Sequence, residues 1–354
     1  MLLYACISAH GYGHGSRTTA VLAELHRLQP DCRLVLSTAL PQTFLQLALG
    51  EVPFEHRPCR WDVGVSQADA LGVDAAATEA TLLQLEAALP AQLEREAAWL
   101  RLQPGPVLVL GDVPPAAAAL AQQVEAPLVW LASFGWDAIY GPMGGGLAER
   151  VASYRRAYGQ GALLLRCPLH LPMPWGIPEV AVGLTCSRPR LPLEALAADL
   201  RLPAERQRCV LISFGGLGLP LDPAWLQRWP ELVFIGPDPA LAGEANGRTL
   251  PAGVRPLDLM PLVGRLLTKA GYSTFCEAFS QGVGVHLVAR SGFAEAPVLE
   301  RDLQRHGWHR LLSQEQFASG AWDLDQPLQP PSAGPLATDG ALQAARELQR
   351  LLER

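Results

Sequence analysis

The chain has 354 residues, 49% of them hydrophobic and 18% charged, a balance that builds packed cores and excludes a disordered protein. Its net charge of −6 leaves no broad basic surface, which argues against nucleic acid as the main partner. At this length two domains of ordinary size are expected.

Residues 2–8 form a short continuous apolar run and predict a buried strand rather than a signal peptide, since no basic segment precedes them and His10-Gly11 cuts them off. The glycine-rich stretch His10-Gly-Tyr-Gly-His-Gly-Ser16 is expected to be a loop feeding a helix over 18–28. Strands follow at 31–37 and 106–111, the latter ending in Asp112, then an alanine-rich helix at 116–124 and a strand at 127–132. Strand and helix alternating at this spacing imply parallel strands with right-handed crossovers, a Rossmann-like half. Prolines 168, 172, 174, 178, 189 and 192 crowd the next stretch, which reads as an extended linker and not a core element. A second α/β half begins with a strand at 209–214, a glycine loop at 215–218 and a strand at 232–236. A strand ending Leu266-Leu267, a helix near 274–281 and a strand at 283–289 complete it, and Asp339 is the cap expected for a last helix reaching Leu352. No run approaches the roughly 20 apolar residues of a membrane-spanning helix. The seven cysteines contain no Cys-x-x-Cys pair, which fits reduced thiols and a cytoplasmic setting.

The segment Lys269-Ala-Gly-Tyr-Ser-Thr-Phe-Cys-Glu-Ala-Phe-Ser-Gln-Gly282 carries the most chemistry. A glycine turn entering a helix, with Ser273 and Thr274 as cap candidates, presents unpaired amides and the positive helix end, which suits a phosphate. Glu277 falls one turn inside, where it could accept hydrogen bonds from sugar hydroxyls. An ordinary capped helix of an α/β domain would give the same pattern. Of the 28 basic side chains 27 are arginine, and the single lysine is Lys269 beside this turn. A compact ammonium there, in place of a wide guanidinium, fits a phosphate loop, although drift toward arginine in a GC-rich genome could leave one lysine anywhere.

Gly271-Tyr-Ser-Thr-Phe-Cys-Glu277 resembles the donor element of GT-B glycosyltransferases, in which a Gly-x-Thr-x-x-Glu-like run binds the diphosphate and ribose of a nucleotide sugar. Gly13-His14 likewise resembles the Gly-His of GT-B enzymes whose histidine is the base or contacts the acceptor, and Asp112 stands where plant-type glucosyltransferases carry an aspartate that orients it. A loop-structuring histidine and an aspartate capping helix 116–124 are the plainer readings. His10 and His14 stand four apart, but with glycines between them and no third ligand in view no metal is expected. GT-B enzymes as a class also manage without one. Gly11-x-Gly13-x-Gly15 loosely imitates a dinucleotide fingerprint, yet the second strand ends Leu36-Ser37-Thr38 without the acidic residue that would take a ribose.

A narrower resemblance rests on five motifs in order: 10–17, Arg60-Trp-Asp-Val-Gly-Val-Ser-Gln-Ala-Asp-Ala-Leu71, Ser133-Phe-Gly-Trp-Asp-Ala-Ile-Tyr140, 269–278 and Phe293-Ala-Glu-Ala-Pro-Val-Leu299. Together they are similar to the N-terminal glycosyltransferase-like region of L-arabinokinase. In arabinokinase a GHMP-type sugar kinase follows, and with this chain ending at Arg354 that domain is expected to be absent.

The resemblance implies an α/β protein of GT-B type, two Rossmann-like domains facing across a cleft. Residues 1–180 would be the acceptor domain, 193–338 the nucleotide-sugar donor domain, and 339–354 a helix crossing back to the first. It implies His14 and Asp112 as catalytic residues, and Gly215, Gly216, Lys269, Gly271, Ser273, Thr274, Glu277 and Glu295 as donor ligands. His10, Arg17, Asp69, Trp136 and Asp137 are the acceptor-side candidates. Ala296 stands where the related pattern has a second acidic residue beside Glu295. The expected activity is metal-independent glycosyl transfer, hexosyl or pentosyl, from a nucleotide sugar to a small-molecule or lipid-linked acceptor, with no further cofactor. Two alternatives stand beside it: a non-catalytic sugar-nucleotide-binding protein or subunit assisting a separate GHMP-type kinase, and a nucleotide-sugar 2-epimerase.

Overall fold

The computed structural model describes residues 1–66, 73–215, 222–290 and 292–353. Asp69 and Gly216 therefore lie outside the described residues. Two compact units emerge, and the chain weaves between them. Unit 1 holds Met1–Cys186, Gly292–Glu295 and Ala337–Arg354, whereas unit 2 holds Ser187–Ser291 and Ala296–Leu336.

In unit 1 the elements run β1 (Leu2–Ile7), α1 (Tyr12–Leu28), β2 (Arg33–Ser37), α2 (Gln42–Leu49), β3 (Glu55–Arg57), α3 (Ala75–Arg101), β4 (Val107–Asp112) and α4 (Ala116–Gln123). Then come β5 (Leu128–Ala132), α5 (Trp136–Tyr140), α6 (Gly145–Glu149), α7 (Val151–Tyr158), β6 (Leu163–Arg166) and β7 (Glu179–Ala181). The sheet order is β3-β2-β1-β4-β5-β6-β7, with every pairing parallel. Its central strands β1, β4 and β5 are buried along nearly their whole length and mostly apolar, as a parallel sheet covered on both faces requires.

Unit 2 carries α8 (Leu193–Asp199), β8 (Cys209–Ile212), β9 (Val233–Gly236), β10 (Gly247–Thr249), α9 (Pro256–Leu259) and β11 (Arg265–Lys269). It continues with α10 (Tyr272–Ser280), β12 (Gly284–Val288), α11 (Ala296–His306), β13 (His309–Leu312) and α12 (Gln314–Ala318). Its sheet is also parallel throughout, in the order β10-β9-β8-β11-β12-β13. A core of Phe234, Trp229, Trp322 and Phe317 lies under one face.

The last helix, α13 (Gly340–Leu352), belongs to unit 1 and packs on α1 through Ala341, Ala344, Ala345, Leu348 and Leu352. The chain segment leading into it is pinned by Leu184, whose N–H donates to the Ala337 carbonyl at 2.8 Å. Among the described residues no helix is long and apolar enough to cross a membrane.

Three local expectations are corrected. The stretch 10–16 is largely helix, since α1 starts at Tyr12 with Gly11 as its N-cap at φ 76°. Glycine at position 15 lets the helix sit close to its neighbours, for a Cβ there would lie 2.5 Å from the Phe44 ring and 2.6 Å from Leu40. The proline-rich stretch is no bare linker: β7 adds an edge strand, the place where nearby prolines cost no ladder bonds, and Cys167, Leu169 and Leu184 are buried. Ser273 and Thr274 are not caps, because α10 already begins at Tyr272, with Gly271 as N-cap and no side-chain cap bond. Asp339 does occupy the N-cap of α13, but its carboxylate accepts from the Gln343 side chain at 2.8 Å instead of from a backbone amide.

Candidate functional site

Open parallel sheets bind ligands where the strand order reverses, beyond the carboxyl ends of the strands. In unit 1 that point lies between β1 and β4, and in unit 2 between β8 and β11. The sequence motifs with chemical potential sit at these two places.

At the first, β4 delivers Asp112 as its final residue, wholly buried. His14, in the first turn of α1, places Nδ1 2.8 Å from Asp112 Oδ1. A carboxylate can only accept, so Nδ1 carries the proton and Nε2 is left with a lone pair. One turn on, Arg17 donates from Nε to Asp112 Oδ2 at 3.0 Å and from Nη2 to Oδ1, while its Nη1 donates to Ser133 Oγ at 2.9 Å. Thr18 Oγ1 completes the set at 2.6 Å from Oδ2. Burial alone would push the Asp112 carboxyl up, but the Arg17 and His14 charges and their hydrogen bonds outweigh it and hold the group at about 2.

Arg17 is thus 1% exposed and spent on Asp112 and Ser133. That corrects its expected place as an acceptor ligand: it belongs to the scaffold behind His14. Asp137 is corrected in the same way, being 2% exposed with Oδ2 accepting from Arg155 Nε at 3.1 Å. Trp136 does reach the site, its ring 6.5 Å from that of His14 and 5.6 Å from that of His10. Phe134 meets the His14 ring edge-on at 5.5 Å. His10 is half-buried, and its Nδ1 accepts from the Val65 amide at 3.2 Å. Gly64 is what admits it, for a Cβ there would stand 2.2 Å from that nitrogen.

Residue-by-residue reading of the sequence missed Asp62. Its Oδ1 accepts from Ser8 Oγ at 2.9 Å and its Oδ2 from Trp136 Nε1 at 2.8 Å, in a buried position. Burial pushes its carboxyl up, against the pull of His14 and the two donors. The one signal in the sequence was its place in the Arg60-Trp-Asp62 motif.

At the second reversal point, Gly215 follows β8 with φ 75°, a conformation open to glycine. Lys269 ends β11, and its ammonium is pulled down to about 8 by burial and by the neighbouring Arg290 charge. Gly271, Ser273 and Thr274 form the uncapped start of α10. Glu277 stands one turn in, and among the described residues its carboxylate makes no hydrogen bond. Burial pushes that carboxyl up to about 7, only partly opposed by Arg255, whose guanidinium is engaged by Asp258 at 2.9 and 2.7 Å. Glu295 lies in the short stretch 292–295 that groups with unit 1, directly before α11, which Ala296 opens as a buried residue.

No protein-family model matches the chain. In sequence it is similar to L-arabinokinase of Arabidopsis thaliana, 27% identical over 323 residues, or 89% of this chain and 31% of that one. The chain therefore spans about a third of that relative's length. In structure it is similar to a UDP-glucosyltransferase from Polygonum tinctorium capable of glucosylating indoxyl, with TM-score 0.62 and 14% identity, covering 100% of this chain and 98% of that one. Arabidopsis thaliana UGT89C1, solved with UDP-L-rhamnose, gives TM-score 0.62 at 13% identity and covers 100% and 94%. The fold, two parallel α/β sheets, is that of GT-B proteins.

Proposed function

We propose that the chain binds a UDP-sugar through unit 2 and transfers its glycosyl group to an acceptor hydroxyl activated by His14. The observation that carries this reading is the His14–Asp112 contact at the strand reversal of unit 1, in a fold shared with proteins named as UDP-glucosyltransferases. His14 Nε2 takes the proton of the acceptor hydroxyl while the oxygen attacks the anomeric carbon. The bond from that carbon to the diphosphate oxygen breaks, and the nucleoside diphosphate leaves with the electron pair. Asp112 holds the ring in the tautomer that keeps Nε2 open.

On the donor side, the first turn of α10, entered through Gly271, and the positive end of that helix face the leaving diphosphate. Lys269 adds charge, Glu277 accepts from the ribose hydroxyls, and Gly215 and Gly216 allow the phosphates a close approach. Glu295 is assigned to the sugar hydroxyls. The sequence relative is named for a sugar kinase, which supports a sugar-derived ligand, and this chain matches about a third of it.

Calorimetry with UDP and a panel of UDP-sugars tests binding, and release of UDP on adding acceptor hydroxyl compounds tests transfer. His14→Ala should lower turnover by about 10²–10⁴ while leaving donor affinity nearly unchanged. A chain that binds no UDP-sugar, or a His14→Ala variant that turns over like the parent, would sink the reading.

A further inference from the structure

Asp112 is the obvious partner for a charged His14, but its negative charge is already matched. Arg17 grips it with two nitrogens, both groups are sealed from water, and together they sum to zero. Arg17 Nη2 also stands 3.2 Å from His14 Nδ1, and since both are donors this is a contact between like partners. The start of α1, whose first turn holds His14, adds the positive end of a helix dipole. An imidazolium at position 14 would therefore meet more positive than negative potential if Asp112 were its sole counter-charge.

Asp62 alters that balance. It is 6% exposed, and among the described residues its carboxylate takes hydrogen bonds only from neutral donors, Ser8 Oγ and the Trp136 indole. Arg60 reaches its backbone carbonyl at 3.4 Å and keeps its head in solvent. Ser8 ties the two carboxylates together, since its N–H donates to the Asp112 carbonyl at 2.7 Å and its hydroxyl to Asp62. The Trp136 ring that packs against His14 is the one whose N–H goes to Asp62.

Among the described residues, the tyrosines around this cluster are neutral and the acids beside it are paired with arginines. Tyr140 donates to the Gly64 carbonyl at 2.7 Å and Tyr158 to the Val113 carbonyl at 2.9 Å. Burial pushes Tyr140, Tyr154 and Tyr158 well above the usual phenol range, so all three stay neutral. Glu86 is paired with Arg150, and Asp137 with Arg155. His10 is held as a hydrogen-bond acceptor at Nδ1.

We propose that Asp62 is a positioning residue for His14, supplying the unbalanced negative charge that stabilises the imidazolium formed when Nε2 takes a proton. Asp112, cancelled by Arg17, sets the tautomer and orientation. The catalytic meaning rests on the transferase reading above, whereas the electrostatic coupling can be measured without any substrate.

Histidine-selective 15N NMR on the full chain follows the titration of His14, whose signals are those missing from His14→Gln. Asp62→Asn keeps the side-chain shape and removes the charge. It should lower the His14 midpoint by about one pH unit, a tenfold change in proton affinity. Coupling is reciprocal, so in a 13C-aspartate-labelled chain His14→Gln should raise the Asp62 carboxyl midpoint by a similar amount. The second arm stands even if Asp62→Asn fails to fold. A carboxylate that merely anchors Ser8 and Trp136 would leave both midpoints in place, and either one unmoved overturns the proposal. Given turnover, the acid limb of the kcat profile should move with the His14 midpoint while the donor KM holds. Midpoints that move in a chain with no transferase activity would overturn the transferase reading and uphold the coupling.

Discussion

Two side chains of unit 2 hold their protons at unusual pH, and the sign of each effect can be read in solution. Burial keeps Glu277 protonated to about pH 7, whereas an unfolded glutamate gives up its proton at about 4.3. Between those values the folded chain binds more protons, so this group's stabilising share is present below about pH 4.3 and is lost as pH rises through 7. Glu277→Gln should therefore leave stability unchanged at pH 4 and raise it by about 1–3 kcal/mol at pH 8, as read from urea denaturation at the two pH values. Lys269, with its ammonium at about 8, runs the other way: its burial is a cost below that pH, relieved as pH rises. A UDP-sugar has a diphosphate diester with no proton to exchange in this range. Ribose hydroxyls on Glu277 should expel its proton, and the diphosphate should draw one onto Lys269. Calorimetry in buffers of different ionisation heat should then show net proton release at pH 6.5 and net uptake of up to about half a proton at pH 8. The same sign at both pH values would remove one of the two residues from the site. Lys269→Arg holds the charge and changes the shape, and weaker UDP-sugar binding is expected. The roles of Arg17 and Asp62 were not legible at this scale. Arg17 sits in the same motif as His14 and reads as a second ligand until the helix turns it onto Asp112. Asp62 and Ser8 are 54 positions apart, and only the completed sheet brings them together.

Helix starts divide what was legible from what was not. The strands could be placed because a run of apolar residues between breakers has few other uses in a protein of this size. The start of α1 could not, since three alternating glycines read locally as loop, whereas two of them lie in the helix and Gly15 sits close against Leu40 and Phe44. At α10 the expected helix was right and the capping residues were wrong by two or three positions, because the serine, the threonine and the glycine before them all suit that end. The structure then separates two reasons for a glycine at 271. Its φ is −162°, open to any residue, and a Cβ would meet nothing closer than 3.7 Å. Folding has no need of it. Gly271→Ala should leave the melting temperature within about 1–2 °C of the parent, a shift on the scale of surface substitutions. If a phosphate approaches this backbone, the same variant should bind UDP-sugar at least about tenfold more weakly, a loss of about 1.4 kcal/mol. Unchanged affinity would place the diphosphate elsewhere.

Over the whole molecule, the division into two α/β halves was visible from the strand rhythm, but the path of the chain between them was not. Proline-rich composition suggested a plain tether after residue 166, where the fold instead adds β7 and buries Leu184 before leaving unit 1. Unit 1 is finished only by α13, whose Leu348 is fully buried on its apolar face. Leu348→Ala should cost about 2–4 kcal/mol, and hydrogen exchange should then speed up in α1 and α13 while unit 2 keeps the protection of the parent. Equal loss across both units would mean that they unfold as one. The same discontinuity has a meaning for biosynthesis. As the chain leaves the ribosome, every strand of the first sheet emerges early and must wait for a helix encoded more than a hundred codons later, while all of unit 2 lies between 187 and 336, ahead of that helix. Unit 2 is thus the first that can close. Meanwhile the face of α1 that α13 will cover stays bare for the length of that wait.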